Sequence, residues 1–83
     1  MSLEIFYNGS AFKHGITIAD IDNAISLFLF DNAIDGEYDK YLLIGFDTNG
    51  NLIEIMYNVI NDNSINVFHA MKCRKEYIKL LER

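Results

Sequence analysis

The sequence contains no proline, and its single cysteine, Cys73, has no partner for an internal disulfide. That excludes a disulfide scaffold and points to a reducing compartment, the cytoplasm. No apolar run approaches the roughly 18 residues a membrane span needs, and the start lacks a basic-then-apolar secretion signal. Histidine is scarce as well: His14 and His69 are the only two, and no Cys-x-x-Cys or His-x-x-x-His spacing exists. A metal site of the two histidines with a carboxylate is geometrically possible but has no support in the spacing, and neither a glycine-rich phosphate loop nor a nucleophile elbow can be read, so no cofactor is expected. Cationic charge is in short supply, with 7 Lys+Arg against 12 Asp+Glu and a net charge of −5. Taken whole, that balance argues against a nucleic-acid partner. The missing proline accompanies 9 Asn and 12 Ile. An A+T-rich coding sequence produces that bias through its codons, so it carries no functional weight. Met1-Ser2-Leu3 is set aside, because a start of that form can come from cloning.

What is present fits one domain over residues 1–83. Hydrophobic residues make up 51% and aromatics 13%, too rich for a disordered acidic tail. A chain of this length buries only about 60–65% of its unfolded surface, so its stability margin is thin.

Leu3–Tyr7 alternates weakly and reads as an edge strand or an ordered arm. Asn8-Gly9-Ser10 is turn chemistry, followed by one helical turn over Ala11–His14 that Gly15 stops. Thr17 to about Leu29 is the clearest helix. Thr17 and Asp20 match a capping box, and Ile18, Ile21, Ala24, Ile25, Phe28 and Leu29 fall in one arc of about 140°. From Phe30 the period changes to four β-branched or aromatic runs, Phe30–Ile34, Tyr41–Phe46, Leu52–Ile60 and Ile65–Ala70. Short turns separate them, Asn49-Gly50 being the strongest hairpin signal, so an antiparallel meander is expected. In the third run Ile53, Ile55, Tyr57 and Val59 share a core face, while Glu54 is the one ionised member of the other. Met71–Arg83 reads as a closing helix with Cys73, Tyr77, Ile78, Leu80 and Leu81 on its apolar side. The expected fold is therefore α+β, an N-terminal helix on a small antiparallel meander of about four strands with a C-terminal helix.

Charge is unevenly spread along this plan. Residues 14–71 sum to −8, whereas residues 72–83 sum to +3. The acidic body is a solvated face or a docking surface for a basic partner. Lys72, Lys75, Lys79 and Arg83 cluster on one side of the predicted closing helix, either as an ordinary solvent face stitched by Lys72–Glu76 or as a small patch for an anion.

The one dense polar constellation is Phe68-His69-Ala70-Met71-Lys72-Cys73-Arg74-Lys75. It sets an imidazole at the end of a strand and cations just after it. RNA cleavage needs such a set: a base for the 2′-hydroxyl, an acid for the leaving oxygen, and positive charge for the developing dianion. The competing reading is structural, with His69 bonded to a backbone group and Arg74 paired with a carboxylate such as Glu54. Lys13-His14-Gly15 reads by itself as a helix stop with a polar end. Cys73, on an apolar side, reads as a buried, inert thiol.

Three segments in order carry a resemblance: Lys13-His14-Gly15-Ile16-Thr17, Leu43-Ile44-Gly45-Phe46-Asp47 through Gly50-Asn51-Leu52-Ile53-Glu54, and Val67-Phe68-His69-Ala70-Met71 before Arg74 and Tyr77. Together they resemble the BrnT family of toxins from bacterial type II toxin–antitoxin pairs, in its short variants with a His-Ala-Met segment. The resemblance covers roughly residues 11–82. It implies a RelE-like fold, ribonuclease action on messenger RNA, and neutralisation by a cognate antitoxin. Lys13 and Arg74 match the family's pattern by position and type. Typical members carry Ser-Ala-Arg where this chain has His69-Ala70-Met71, and basic residues along the sheet where this chain is acidic.

Two functional expectations follow. The first is a toxin-like ribonuclease with His69, Arg74 and Lys13 as catalytic residues and Lys72, Lys75 and Lys79 contacting RNA. The second is a non-catalytic interaction protein on the same fold, acting through a partner surface or as a homodimer.

Overall fold

The computed structural model describes residues 3–82. Met1 and Ser2, set aside above, and Arg83, counted above with the basic cluster, lie outside the described residues. The elements run β1 (Glu4–Tyr7), a 3-10 turn (Gly9–Phe12), α1 (Ile18–Ser26), β2 (Phe28–Ala33), β3 (Lys40–Phe46), β4 (Leu52–Asn61), β5 (Ser64–Lys72), α2 (Lys75–Ile78) and a 3-10 turn (Lys79–Leu81).

The expected antiparallel meander is β2–β5, each strand pairing with the next. The sheet nonetheless has five strands, in the order β1-β5-β4-β3-β2, and is mixed. The fifth strand comes from the N-terminal segment, which pairs parallel to β5 with Glu4 opposite Ser64 and Tyr7 opposite Val67. Parallel pairing needs a long crossover, and here everything from α1 through β4 supplies it.

Helix α1 starts where the capping box places it: Thr17 Oγ1 accepts from Asp20 N at 3.1 Å, and Thr17 N donates back to Asp20 Oδ2 at 3.3 Å. The helix ends at Ser26, not near Leu29. Phe28 already pairs with Gly45 of β3, so ladder bonding takes over from the helical period. Ile21 and Ala24 are fully buried, whereas Phe28 and Leu29, expected on the helix's core face, are half exposed on an edge strand. The helix sits unusually close to the sheet. A Cβ built on Gly45 would lie 2.4 Å from the Ala24 carbonyl oxygen and 2.9 Å from its Cα. Only glycine fits under that backbone.

The core lies between α1 and one sheet face, where Ile21, Ala24, Leu43, Ile53, Ile55, Tyr57, Val67 and Ala70 pack with Ala11. Tyr57 stacks on Tyr41 at 5.2 Å and donates its hydroxyl to Asp31 Oδ1 at 2.7 Å. Burial and the facing Asp31 carboxylate push the Tyr57 phenol well above its usual range. The turn between β3 and β4 is closed by the Asp47 carboxylate, which accepts from Asn49 N and Asn51 N at 2.8 Å each, with Gly50 at φ +83°.

The C-terminus corrects the expected helix over Met71–Arg83. Strand β5 continues to Lys72 because Met71 and Lys72 pair with Glu54 and Ile53. Arg74 stays extended at φ −76°, ψ 151°, and only Lys75–Ile78 are α-helical before the chain tightens into 3-10 geometry. No helical i,i+4 relation therefore exists between Lys72 and Glu76. No helix among the described residues is long and apolar enough to cross a membrane.

Candidate functional site

A single irregularity decides which residues meet. Strict alternation along β5 would set Ile65, Val67 and His69 on one face, with His69 aimed into the core. The register instead slips: Tyr57 opposes Val67 and Met56 opposes His69, leaving Phe68 as an extra residue in a bulge. Past it, Ala70 returns to the core face and His69 turns to the opposite one, the face of Glu54. The Ser10 hydroxyl donates to the Phe68 carbonyl at 2.6 Å and satisfies a backbone acceptor at the irregularity.

On that second face Glu54 is fully buried, 0% exposed, yet its carboxylate is saturated with donors. Oε1 accepts from the Arg74 backbone N at 2.9 Å and from Arg74 Nε at 3.1 Å. Oε2 accepts from Arg74 Nη2 at 2.6 Å and from His69 Nε2 at 2.9 Å. Burial alone would raise the Glu54 carboxyl. The side-chain and backbone bonds from Arg74 and the bond from His69 outweigh it and hold the group below its usual range. The same contact raises the Arg74 guanidinium further. The ion cluster is asymmetric in exposure: the Arg74 side chain is 41% exposed and that of His69 21%, so their outer edges face solvent while the carboxylate does not.

Two further rings complete the patch. His14, on the loop after the first 3-10 turn, meets His69 edge-on with ring centres 5.8 Å apart. The Arg74 guanidinium lies 5.0 Å above the Tyr77 ring. This arrangement offers one imidazole held in a fixed orientation by a buried carboxylate, a second imidazole beside it, and a guanidinium on the same rim. Such a set can move protons at, and stabilise charge on, a phosphate.

Of the candidate residues read from the sequence, the fold brings His69 and Arg74 together on Glu54. Lys13 is exposed and adjoins His14 in the chain. Lys75 and Lys79 are exposed on the closing turns. Lys72 is not with them: it pairs with Ile53, so it projects from the α1 face, where it lines a hollow with Ile16, Asp47 and Leu52. His69 bonds a carboxylate instead of a backbone group, and Arg74 takes the Glu54 partner the structural reading assigned to it. The residue not counted among the candidate site residues is His14. Its signal, the Lys13-His14-Gly15 stop, marks a chain reversal but not what the reversal lies against. Cys73 is buried, and burial first of all pushes its thiol up to about 11, which fits an inert group.

A five-stranded sheet, a single short helix on one face and a closing turn on the other make this a BrnT-like α+β fold. It matches a solved structure, the crystal structure of the Brucella abortus ribonuclease toxin BrnT, with a TM-score of 0.65 and 16% identity over 89% of this chain and 100% of that one. At that identity the likeness is one of fold. No family model matches the chain, and no curated protein matches it in sequence.

Proposed function

We propose that this protein is a toxin-type ribonuclease acting on messenger RNA and held in check by a cognate antitoxin. The observation that carries the reading is the shared carboxylate: Glu54 orients His69 and Arg74 onto one rim of a BrnT-like fold. In this role His69 transfers a proton at the scissile phosphate and Arg74 stabilises the charge that develops there. Lys13 supplies a further cation on the His14 side, and Lys75 and Lys79 meet the RNA backbone. Lys72, on the opposite face, contributes only through strand wrapped around the sheet's end. The acidic body, −8 over residues 14–71, confines RNA to this end of the molecule and keeps affinity low and salt-sensitive. Inducing the protein in a bacterial host should stop growth and cleave transcripts, and a paired His69→Ala, Arg74→Ala variant should do neither. Normal growth with intact RNA at confirmed expression of the folded wild-type protein would overturn it.

A second reading is favoured by a separate observation. Helix α1 is nine residues long and leaves part of its sheet face bare. A hollow of about 330 Å³ is lined there by Leu3, Ile25, Phe28, Leu43 and Val59. On this reading the protein is a non-catalytic interaction module that buries the hollow against a partner or a second copy. Light scattering that finds a stable homodimer, together with no RNA turnover, would select it over the first.

A further inference from the structure

Resting on the ribonuclease reading, we infer that His14 is the second proton-transfer group of the site, working with His69 on one RNA phosphodiester. Cleavage that uses the neighbouring ribose hydroxyl requires two proton movements at two different oxygens, and each group must come within about 2.6–3.2 Å of its oxygen. His69 supplies one. Glu54 cannot supply the other, because it is fully buried and both its oxygens are occupied by Arg74 and His69. Arg74 stays protonated, and the Cys73 thiol is buried and pushed up to about 11. Tyr77 lies beneath the Arg74 guanidinium. Exposed His14, its ring centre 5.8 Å from that of His69, is the remaining proton carrier in contact with the cluster among the described residues. At that separation each imidazole can reach a different oxygen of the same phosphate. The charged groups bonded within the cluster are Glu54 from β4 and Arg74 from the segment before α2, and exposed Lys13 precedes His14 in the chain.

The step balances without water, metal or oxidant. One imidazole, neutral, takes the proton of the ribose 2′-hydroxyl as that oxygen bonds to phosphorus. The bond from phosphorus to the 5′ oxygen breaks, and the other imidazole, protonated, gives its proton to the departing oxygen. A 2′,3′-cyclic phosphate and a 5′-hydroxyl end result, with the proton exchanged between the two histidines. Arg74 faces the non-bridging oxygens.

The test uses the full-length purified protein with a 5′-labelled synthetic RNA, both free and engaged on bacterial ribosomes, and compares wild type, His14→Ala and His69→Ala. The inference expects His14→Ala to lower kcat at least 100-fold, with circular dichroism unchanged because the side chain is exposed. It expects added imidazole to restore a measurable part of the rate, and wild-type products to end in cyclic phosphate. Wild-type cleavage with His14→Ala within threefold overturns this inference and leaves the ribonuclease reading standing. A loss carried entirely by KM, without imidazole rescue, also overturns it, since that marks a binding role. No cleavage of either substrate by the wild type defeats the ribonuclease reading itself and this inference with it.

Discussion

Ser10 and Phe68, 58 residues apart, are joined by a hydrogen bond of 2.6 Å from the Ser10 hydroxyl to the Phe68 carbonyl. It fastens the loop ahead of His14 to the bulge that turns His69 toward Glu54, so one contact bears on both histidines. Ser10→Ala removes the donor and should cost about 1 kcal/mol. In a chain of this size that lowers Tm by about 4–8 °C in a thermal melt. Hydrogen exchange at His69 and Ala70 should rise more than at Ile55, which lies outside the bulge.

The Glu54 cluster predicts an asymmetry between its two ends. Arg74→Ala leaves a fully buried carboxylate short of its main partner and should cost about 3 kcal/mol, despite the partial exposure of the guanidinium. Glu54→Gln removes the buried charge along with the pairing, and Arg74 can turn outward, so about 1–2 kcal/mol is expected. Urea titrations of both variants check the order. A larger loss in Glu54→Gln would mean that the ion pair is a net source of stability.

How much of this was legible in the sequence follows from what sets each feature. The start of α1 was, because Thr17 and Asp20 are three residues apart and cap locally. So was the order of the meander, because Asn49-Gly50 and its neighbouring turns are local chemistry too. The end of α1 was not: Phe28 and Leu29 fit the helical arc, and only their ladder with β3 withdraws them from it. The closing helix failed for the same reason, since Met71 and Lys72 are held by Glu54 and Ile53 of β4, partners 17 and 19 residues upstream. At the site, Glu54 stood out as the lone charge on its strand face. Its meeting with His69 depends on the Phe68 bulge, and a one-residue slip inverts every later side chain without leaving a mark in composition.

Gly45 predicts how tightly α1 is tied to the sheet. A methyl group there meets the carbonyl oxygen, Cα and carbonyl carbon of Ala24 at 2.4 to 3.0 Å, all backbone atoms. Gly45→Ala should therefore displace the helix and cost about 1–3 kcal/mol. Near-ultraviolet circular dichroism should show loosened packing around Tyr57. Gly9→Ala, with no atom within 4 Å of the added carbon, is the matched control and should be close to neutral.

Acid should destabilise the fold through two carboxylates. Asp20 is lowered to about 2, first by the bond from the Thr48 backbone, then by the Thr48 and Thr17 hydroxyls. Glu54 is lowered by Arg74 and His69. A carboxyl depressed in the folded state contributes stability above its unfolded value, near 4, and loses it as pH falls through the folded one. Stability should thus be flat from pH 7 to about 5 with respect to these two groups, and fall below about 4. Asp20→Asn should shallow that fall, as read from urea midpoints across the pH series.

The most direct test of the account is the mapping of transcript 5′ ends after induction in a bacterial host, comparing the wild type with His69→Ala. The account predicts new 5′-hydroxyl ends on messenger RNA with the wild type and their loss with His69→Ala, at equal levels of folded protein. Intact transcripts under wild-type expression, or cuts that persist undiminished without the His69 imidazole, would contradict it.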